Sequence, residues 1–331
     1  MRWLVAVMIA LAASMVVGMT PEAARSFEEF ERRAEGGDPA ALYRLSAILE
    51  EGYDSIAPDT VRAMALLRRS AALGYAPALN YMGYLYQKGT ILPESKDSAI
   101  LYIRRAADAG DLQAAHNLAY LILEDRGPLR GDTLLAAEAM AYLRRAAEGG
   151  RPQSQTLLAD LYAEGDLVPA DTLRAVGLYE QAISQGFHDA ELRLLNMMGP
   201  KWQSLDGSET LTEAKRYWNM GAPTIAVELL HLVGPMEAGT AQAYAMLGHA
   251  YSRGQGAPYD HRRANEYFAR AALLGNPSAQ FILAETLEIF PDALSDLLPD
   301  LPESMTPGAL REAAAAAGVT SAETAVASLF R

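Results

Sequence analysis

The side chains that most often carry out chemistry are few in this sequence and do not cluster. The histidines are scattered without metal-ligating spacing: His116, His188, His231, His249 and His261. There is no cysteine, which excludes disulfides, thiolate metal sites and a cysteine nucleophile. We also find no H-E-x-x-H, G-x-S-x-G, Walker or dinucleotide-binding motif. The sequence therefore predicts neither an enzyme nor a cofactor.

A second set of residues has the chemistry of binding rather than of reaction. It combines tyrosine, amide and charged side chains: Tyr81, Tyr84, Asn117, Tyr120, Asp160, Arg193, Asn196 and His249. Tyrosine is a typical interface anchor, because it buries a large area at little cost in conformational entropy. We predict that these residues line a concave groove that binds an extended peptide or a helix of another protein. The alternative is ordinary packing between repeats together with a solvated surface.

Three pairs of adjacent arginines form another candidate surface, which we call the basic ridge. Its members are Arg68, Arg69, Arg104, Arg105, Arg144 and Arg145. Such a ridge would dock an acidic partner, and it contrasts with the formal net charge of -13 of the whole chain. The alternative is that these side chains only complement the negative ends of helices and face solvent.

The candidate residues owe their positions to an internal repeat. An alanine is followed eleven residues later by a glycine, and small or Leu/Met residues come four, eight and nine places after that glycine. The glycines are Gly37, Gly74, Gly110, Gly150, Gly186, Gly239 and Gly275, of which Gly37 and Gly239 start the phrase without the preceding alanine. The first five are spaced by 37, 36, 40 and 36 residues, and the last two by 36. A period in the thirties with helical spacing inside it indicates pairs of antiparallel helices.

Each repeated position has a physical reason. In the first helix of a pair, which follows the glycine, places four, eight and twelve lie on one face, so we expect them to be buried. A small residue at place nine, such as Gly83, lets a neighbouring helix approach closely. The glycine itself can adopt a positive φ and end the preceding second helix. Acids near the starts of second helices are predicted N-caps or first-turn residues: Asp59, Asp97, Asp171 and Asp260.

This pattern resembles the Sel-one-like repeat, a relative of the tetratricopeptide repeat. The resemblance rests on the phrase A-x3-L-G-x-L-Y-x2-G, written here as residues 78–89, and on helix ends such as RAADAG and RAAEGG. It covers residues 27–290 and implies an all-α fold, a right-handed α-solenoid of stacked antiparallel helix pairs. A plain tetratricopeptide array fits less well, since its period would be 34 and its helix-ending proline is missing.

Two regions depart from the repeat. Between residues 202 and 239, Gly221 and Pro223 are predicted to end a second helix early, and TIAVELLHLVG to form an extra short helix. After the solenoid of residues 19–290, we predict that residues 291–331 form a proline-rich linker and alanine-rich helices. These helices would begin near Thr306 and Ser321, and the tail would either fold back as a cap or remain mobile.

The beginning of the sequence predicts export. Residues 1–18 have the form of a signal peptide, with Arg2 as a basic start and an apolar run over residues 4–17. An uncleaved anchor is the alternative, and in both cases the repeats would lie in the bacterial periplasm. The acidic net charge of -13 disfavours nucleic acid and anionic lipid as partners. Any membrane contact would then go through an uncleaved signal.

These observations favour a non-enzymatic periplasmic scaffold whose partner is another protein. The family resemblance implies a sharper role, since some exported members restrain the periplasmic domain of a membrane signalling protein. A different function class is a structural component of envelope polysaccharide or cell-wall assembly that binds glycan. In that case Tyr84, Tyr120 and Trp202 would stack on sugar rings.

Overall fold

The computed structural model describes residues 21–52, 56–124, 133–234, 239–290 and 305–330. The predicted signal peptide, residues 1–18, lies outside these ranges. So does the first part of the predicted linker, residues 291–304.

The described residues form seventeen α-helices, which confirms the predicted all-α solenoid class. In chain order they are α1 (Pro21–Glu35), α2 (Pro39–Glu51), α3 (Thr60–Ala72), α4 (Ala76–Lys88), α5 (Lys96–Asp108), α6 (Leu112–Glu124), α7 (Thr133–Glu148), α8 (Pro152–Glu164), α9 (Thr172–Ser184), α10 (Asp189–Trp202), α11 (Gly207–Met220), α12 (Pro223–Leu232), α13 (Thr240–Arg253), α14 (His261–Leu273), α15 (Pro277–Ile289), α16 (Pro307–Ala316) and α17 (Ala322–Leu329).

The helices fall into two compact units that divide at Ser154, in the first turn of α8. In the first unit, α2 packs on α3, α4 on α5 and α6 on α7, and α1 covers α2 at the start of the series. In the second unit, α13 packs on α14 and α15 on α16. These five pairs of consecutive helices thus pack as the repeat predicts.

The turns that end second helices use the repeated glycine. Gly110 has φ 95°, a left-handed conformation that a side chain would strain. Its N–H donates to the carbonyl of Ala107 at 2.9 Å, and the N–H of Asp111 donates to Ala106 at 3.1 Å. This pair of hydrogen bonds is a Schellman motif, which satisfies the last carbonyls of α5 and turns the chain into α6.

The predicted acids cap second helices in both of the ways proposed. Asp59, Asp171 and Asp260 are N-caps whose carboxylates accept from the N–H three residues on, at 2.9, 3.0 and 3.0 Å. Asp97 instead lies in the first turn of α5, where Ser95 is the N-cap. A carboxylate at either place favours the positive end of the helix dipole.

The core is built from the repeated small and aliphatic positions. Ala78 and Met82 in α4, and Ala114 and Leu118 in α6, are at most 2% exposed. At place nine, a Cβ on Gly83 would lie 2.4 Å from the side chain of Ile103 in α5. The two helices of this pair can therefore pack closely only because residue 83 has no side chain, as the sequence predicted.

The helices of the two irregular regions also lie where the sequence predicted them. α11 ends at Met220, Gly221 has φ 86°, and α12 forms the extra short helix, which packs on α11. Thr306 and Ser321 are the N-caps of α16 and α17. Both of these helices pack on α15, so of the two alternatives for the tail the structure shows the folded-back one.

Candidate protein-binding surface

In the first unit, α4 and α6 place four of the predicted groove residues, which we call the tyrosine–amide row: Tyr81, Tyr84, Asn117 and Tyr120. Tyr84 is 45% exposed and Tyr120 is 48% exposed. Tyr81 is half-buried, its ring stacks on Tyr84 at 5.9 Å between centroids, and its hydroxyl donates to Glu50 at 2.6 Å. The row therefore presents two large rings on a surface that the neighbouring contacts hold in place.

The aromatic surface extends further than the sequence predicted. The ring of Tyr43 on α2 lies 5.7 Å from Tyr75 and 6.5 Å from Tyr81. Burial raises the pKa of Tyr43, and burial together with the Glu50 carboxylate raises the pKa of Tyr81. These hydroxyls stay protonated at neutral pH and remain hydrogen-bond donors.

Amide groups connect the row to its surroundings. Asn117 accepts from Gln113 at 2.7 Å and donates to Asn80 at 3.2 Å. The ring of Tyr120 stacks on His116 at 6.4 Å, and Nδ1 of His116 is hydrogen-bonded to Ser154 at 2.9 Å. These amides can offer both donors and acceptors to a bound peptide backbone.

In the second unit, two of the predicted groove residues, Asp160 and Arg193, are charged and already paired. Asp160 on α8 accepts from the hydroxyl of Tyr179 at 2.6 Å and from Arg193 at 2.5 Å, and Arg193 also donates to Asp189 at 3.0 Å. Burial raises the pKa of Asp160, although Tyr179 and Arg193 oppose that shift. Asn196 is exposed beside this network on α10. This part of the predicted groove is therefore an ion-pair network and carries no aromatic anchor.

Two predicted contact residues are buried. His249 is 9% exposed, because the rings of Trp218 and Phe330 lie over it at 6.0 and 5.3 Å. Trp202 is 4% exposed and packs edge-to-face on Tyr217 at 5.4 Å. Stacking on a ligand needs an open ring face, and neither residue presents one in this structure, because other rings of this chain cover both.

The basic ridge divides into two kinds of arginine. Arg104 forms an ion pair with Glu138 at 2.8 Å, and Arg145 donates to the carbonyl of Ala107 and lies over the ring of Tyr142 at 5.1 Å. These two side chains join neighbouring second helices. The others are exposed: Arg68, Arg69, Arg105 and Arg144. The ridge is therefore partly a packing feature that neither interpretation predicted, and its other four arginines face solvent.

Burial lowers the pKa of three histidines, His116, His231 and His249, below the ordinary 6.5. The unfolded chain then binds more protons than the folded one below about pH 6.5, so the stability contributed by the neutral rings is complete above that pH and is lost on acidification.

We expect a lower midpoint of urea unfolding at about pH 5.5 than at about pH 7.5, a range that stays above the usual carboxyl pKa values. In a His249→Asn variant, the midpoint of urea unfolding should decrease less between about pH 7.5 and about pH 5.5. Equal midpoints for the wild-type chain at both would contradict this expectation.

Two kinds of feature are absent from the described ranges. There, no cluster of three or more His, Asp or Glu side chains is arranged to ligate a metal ion. None of the helices described combines the length and the apolar composition needed to cross a bilayer.

The paired helices and their repeated positions define a tandem helical-repeat protein. A family model described as Sel1 repeat matches residues 39–75, 76–111, 112–150, 152–187 and 241–276, more than half of the sequence. The chain therefore belongs to the Sel1 repeat family, as the residue pattern predicted. The residues between 187 and 241 that match no repeat include the region where the pattern departs, α11 and α12.

Two curated proteins are similar to this chain at 24% and 27% identity. Chitin synthase regulatory factor 3 of Schizosaccharomyces pombe is 24% identical over 277 residues, 82% of this chain and 28% of that protein. An uncharacterized protein of Neisseria meningitidis serogroup B is 27% identical over 253 residues, 72% of this chain and 52% of that protein. The chain thus spans 28% and 52% of the lengths of these curated relatives.

Among solved structures, a protective antigen present in uropathogenic Escherichia coli strains is similar at 24% identity. The match covers 91% of this chain and 62% of that one, with a TM-score of 0.49.

Proposed function

We propose that this chain is a non-enzymatic scaffold that binds another protein through the tyrosine–amide row. The observation that carries this proposal is the exposure of Tyr84 and Tyr120, at 45% and 48%, on helices whose other faces are buried. Large aromatic side chains held open on rigid elements supply much of the binding energy of protein interfaces, because little entropy is lost when they are covered.

The surroundings of the row suit a peptide or a helix as the bound segment. Tyr84 and Tyr120 offer flat rings, and the hydrogen-bonded Asn117 and Gln113 amides lie on the same helix as Tyr120. Lys88 lies 5.7 Å from the ring centroid of Tyr84 and adds a positive charge at one end. This composition favours a partner segment with apolar side chains and an acidic residue near the Lys88 end.

We also propose that the scaffold acts in the bacterial periplasm and restrains a membrane signalling protein. The signal-like composition of residues 1–18 supports the location, and the resemblance to exported family members supports the role. One similar protein is named chitin synthase regulatory factor 3, and this name supports a regulatory role in the proposal.

A glycan-binding role in envelope assembly is the second candidate. Tyr84 and Tyr120 are open enough to stack on sugar rings, whereas Trp202 is 4% exposed and does not contribute. Co-sedimentation with purified peptidoglycan tests this candidate directly. Loss of the chain from the supernatant, reversed by substituting both tyrosines, would favour it over protein binding.

Site-specific crosslinking in living cells tests the protein-binding proposal. A photoreactive phenylalanine analogue at Tyr84 or Tyr120 should give one discrete crosslinked product, which mass spectrometry identifies as a protein. The matched control is the same analogue at Tyr259, which is 68% exposed but lies in the loop between α13 and α14. The proposal fails if the row positions give no product, or only the products that Tyr259 also gives.

A further inference from the structure

The last described helix, α17, docks on the first helices of the second unit. It is a short amphipathic helix that begins with a capping box at Ser321 and buries Ala325 and Leu329. Ala325 belongs to one apolar cluster with Phe281 on α15 and with Ala314 and Val319 from the chain before it. α17 contacts both α15 and α13.

The residue that follows α17, Phe330, occupies an aromatic slot formed by Trp218 and His249. The ring of Phe330 stacks on Trp218 of α11 at 4.7 Å and 19°, and meets the ring of His249 on α13 edge-on at 5.3 Å. Trp218 and His249 are themselves 6.0 Å apart. The three rings thus form one cluster in which each ring contacts the other two, an arrangement that adds to the stability gained from burial alone.

Polar groups hold the end of α17 in a defined place. The side-chain amide of Gln242 donates to the carbonyls of Ser328 and Leu329, which as the last carbonyls of a helix have no partner within it. The side-chain amide of Asn276 donates to the amide oxygen of Gln242 at 2.9 Å and so fixes the orientation of the Gln242 side chain. The hydroxyls of Ser278 and Ser328 are also hydrogen-bonded to each other.

The positions that receive α17 are the repeat equivalents of the open surface in the first unit. Gln242 stands three places after its repeated glycine, as Gln113 does, and His249 stands ten places after it, as Tyr120 does. Tyr120 is 48% exposed, whereas His249 is covered by Phe330. The same face of the repeat is therefore open in one unit and occupied in the other.

We propose that residues 321–330 are an intramolecular ligand of this face, and that a partner with a short amphipathic helix and an aromatic residue at its end takes their place. This inference rests on the proposed function, because it names the kind of segment that the repeat face binds. α17 has eight residues, and a helix of that length is not stable alone in water. Its docking therefore depends on the contacts just described, and a competing segment that makes the same contacts displaces it.

A binding assay between the full chain and its own segment tests the proposal. The full-length double variant Leu329→Asp, Phe330→Ala removes the buried side chains that dock α17. A fluorescent peptide with the sequence of residues 321–331 should bind this variant and not the wild-type chain, whose slot is filled. The matched peptide with Phe330→Ala should bind about tenfold more weakly or worse. Binding to neither protein when the variant keeps its helicity, or equal binding to both, would overturn the proposal.

Hydrogen exchange provides a second measurement that needs no undocked variant. Gln242→Leu removes the donor to the last carbonyls of α17 and leaves the length of the side chain similar. Amide exchange should accelerate in α17 and stay unchanged in α14 if α17 is an exchangeable ligand. Unchanged exchange in α17, or equal acceleration in α14, would mark α17 as an integral part of the fold. Neither assay contains the partner, so their failure is separate from a failure of the crosslinking at Tyr84 and Tyr120.

Discussion

Gly248→Ala is expected to destabilise the second unit by about 1–3 kcal/mol, although alanine is the better helix former. Gly248 lies within α13, and a Cβ there would meet three atoms of the Phe268 ring at 2.7 to 2.9 Å. That ring is 4% exposed on α14 and has little room to move away. The added methyl group must therefore push the two paired helices apart or force the ring out of its preferred rotamer.

The first unit contains an equivalent site. Gly83→Ala places a Cβ 2.4 Å from Ile103 and 3.1 Å from the backbone carbonyl of Ala99. Gly83→Leu adds more atoms at the same point and should lower the free energy of unfolding further. Urea unfolding followed by far-UV circular dichroism measures both losses.

Gly177 is the matched control for these substitutions. It lies inside α9, and a Cβ there would meet nothing within 4 Å. Gly177→Ala should therefore stabilise the chain by about 0.5–1 kcal/mol through helix propensity alone. The Gly→Ala substitution is thus expected to lower the free energy of unfolding at Gly248 and to raise it at Gly177. If Gly248→Ala proves as stabilising as Gly177→Ala, the statement that paired helices need a small residue at this position is wrong.

The helix pairs could be predicted from the sequence because their cause is local and repeated. The small residue at place nine, the aliphatic residues at places four and eight, and the glycine that ends the second helix each recur in several copies. Agreement among copies fixes the phase of every helix, so even the extra helix α12 could be recognised as a departure. The N-caps at Asp59, Asp171 and Asp260 have the same local origin.

The extent of the binding surface could be predicted only in part, because exposure depends on partners far away in the chain. Tyr120 and His249 share the same repeat position, yet one is open and the other is covered by Phe330. Tyr43 was missed because it stands six places after its glycine, and only its contact with Tyr75 and Tyr81 on the neighbouring repeat joins it to the row. Periodicity identifies the face of a helix and leaves open what else the chain places against it.

The same reason explains the outcome at the basic ridge. Arg104 and Arg105 are adjacent in the sequence, but only Arg104 reaches an acid, Glu138, on the next second helix. Arg105 stays exposed and lies 5.9 Å from the ring of Tyr102 on its own helix. An ion pair of this half-exposed kind contributes up to about 1 kcal/mol. The ridge thus gives the repeats modest cohesion, and the proposed anchors for a partner are the open tyrosines.

The double substitution Tyr84→Ala, Tyr120→Ala is expected to abolish partner binding and to leave the fold intact. Both rings are nearly half exposed, at 45% and 48%, so their removal withdraws little surface from the core. In a bound complex the same rings would be covered, and the loss of an aromatic anchor at the centre of an interface typically costs about 2 kcal/mol or more. Two such losses correspond to a reduction in affinity of about a thousandfold.

A pull-down from envelope extract, with the purified chain as bait, measures this effect, and Tyr259→Ala serves as the matched control. Tyr259 is more exposed, at 68%, and belongs to a loop of the second unit rather than to the row, so its removal should leave the recovered partner unchanged. Circular dichroism separates the two roles that the row tyrosines can have. If the double variant loses helicity, the rings belong to the packing between repeats. If it keeps its helicity and still recovers the partner, the tyrosine–amide row is not the binding surface, and the exposed arginines Arg68, Arg69 and Arg144 become the next site to substitute.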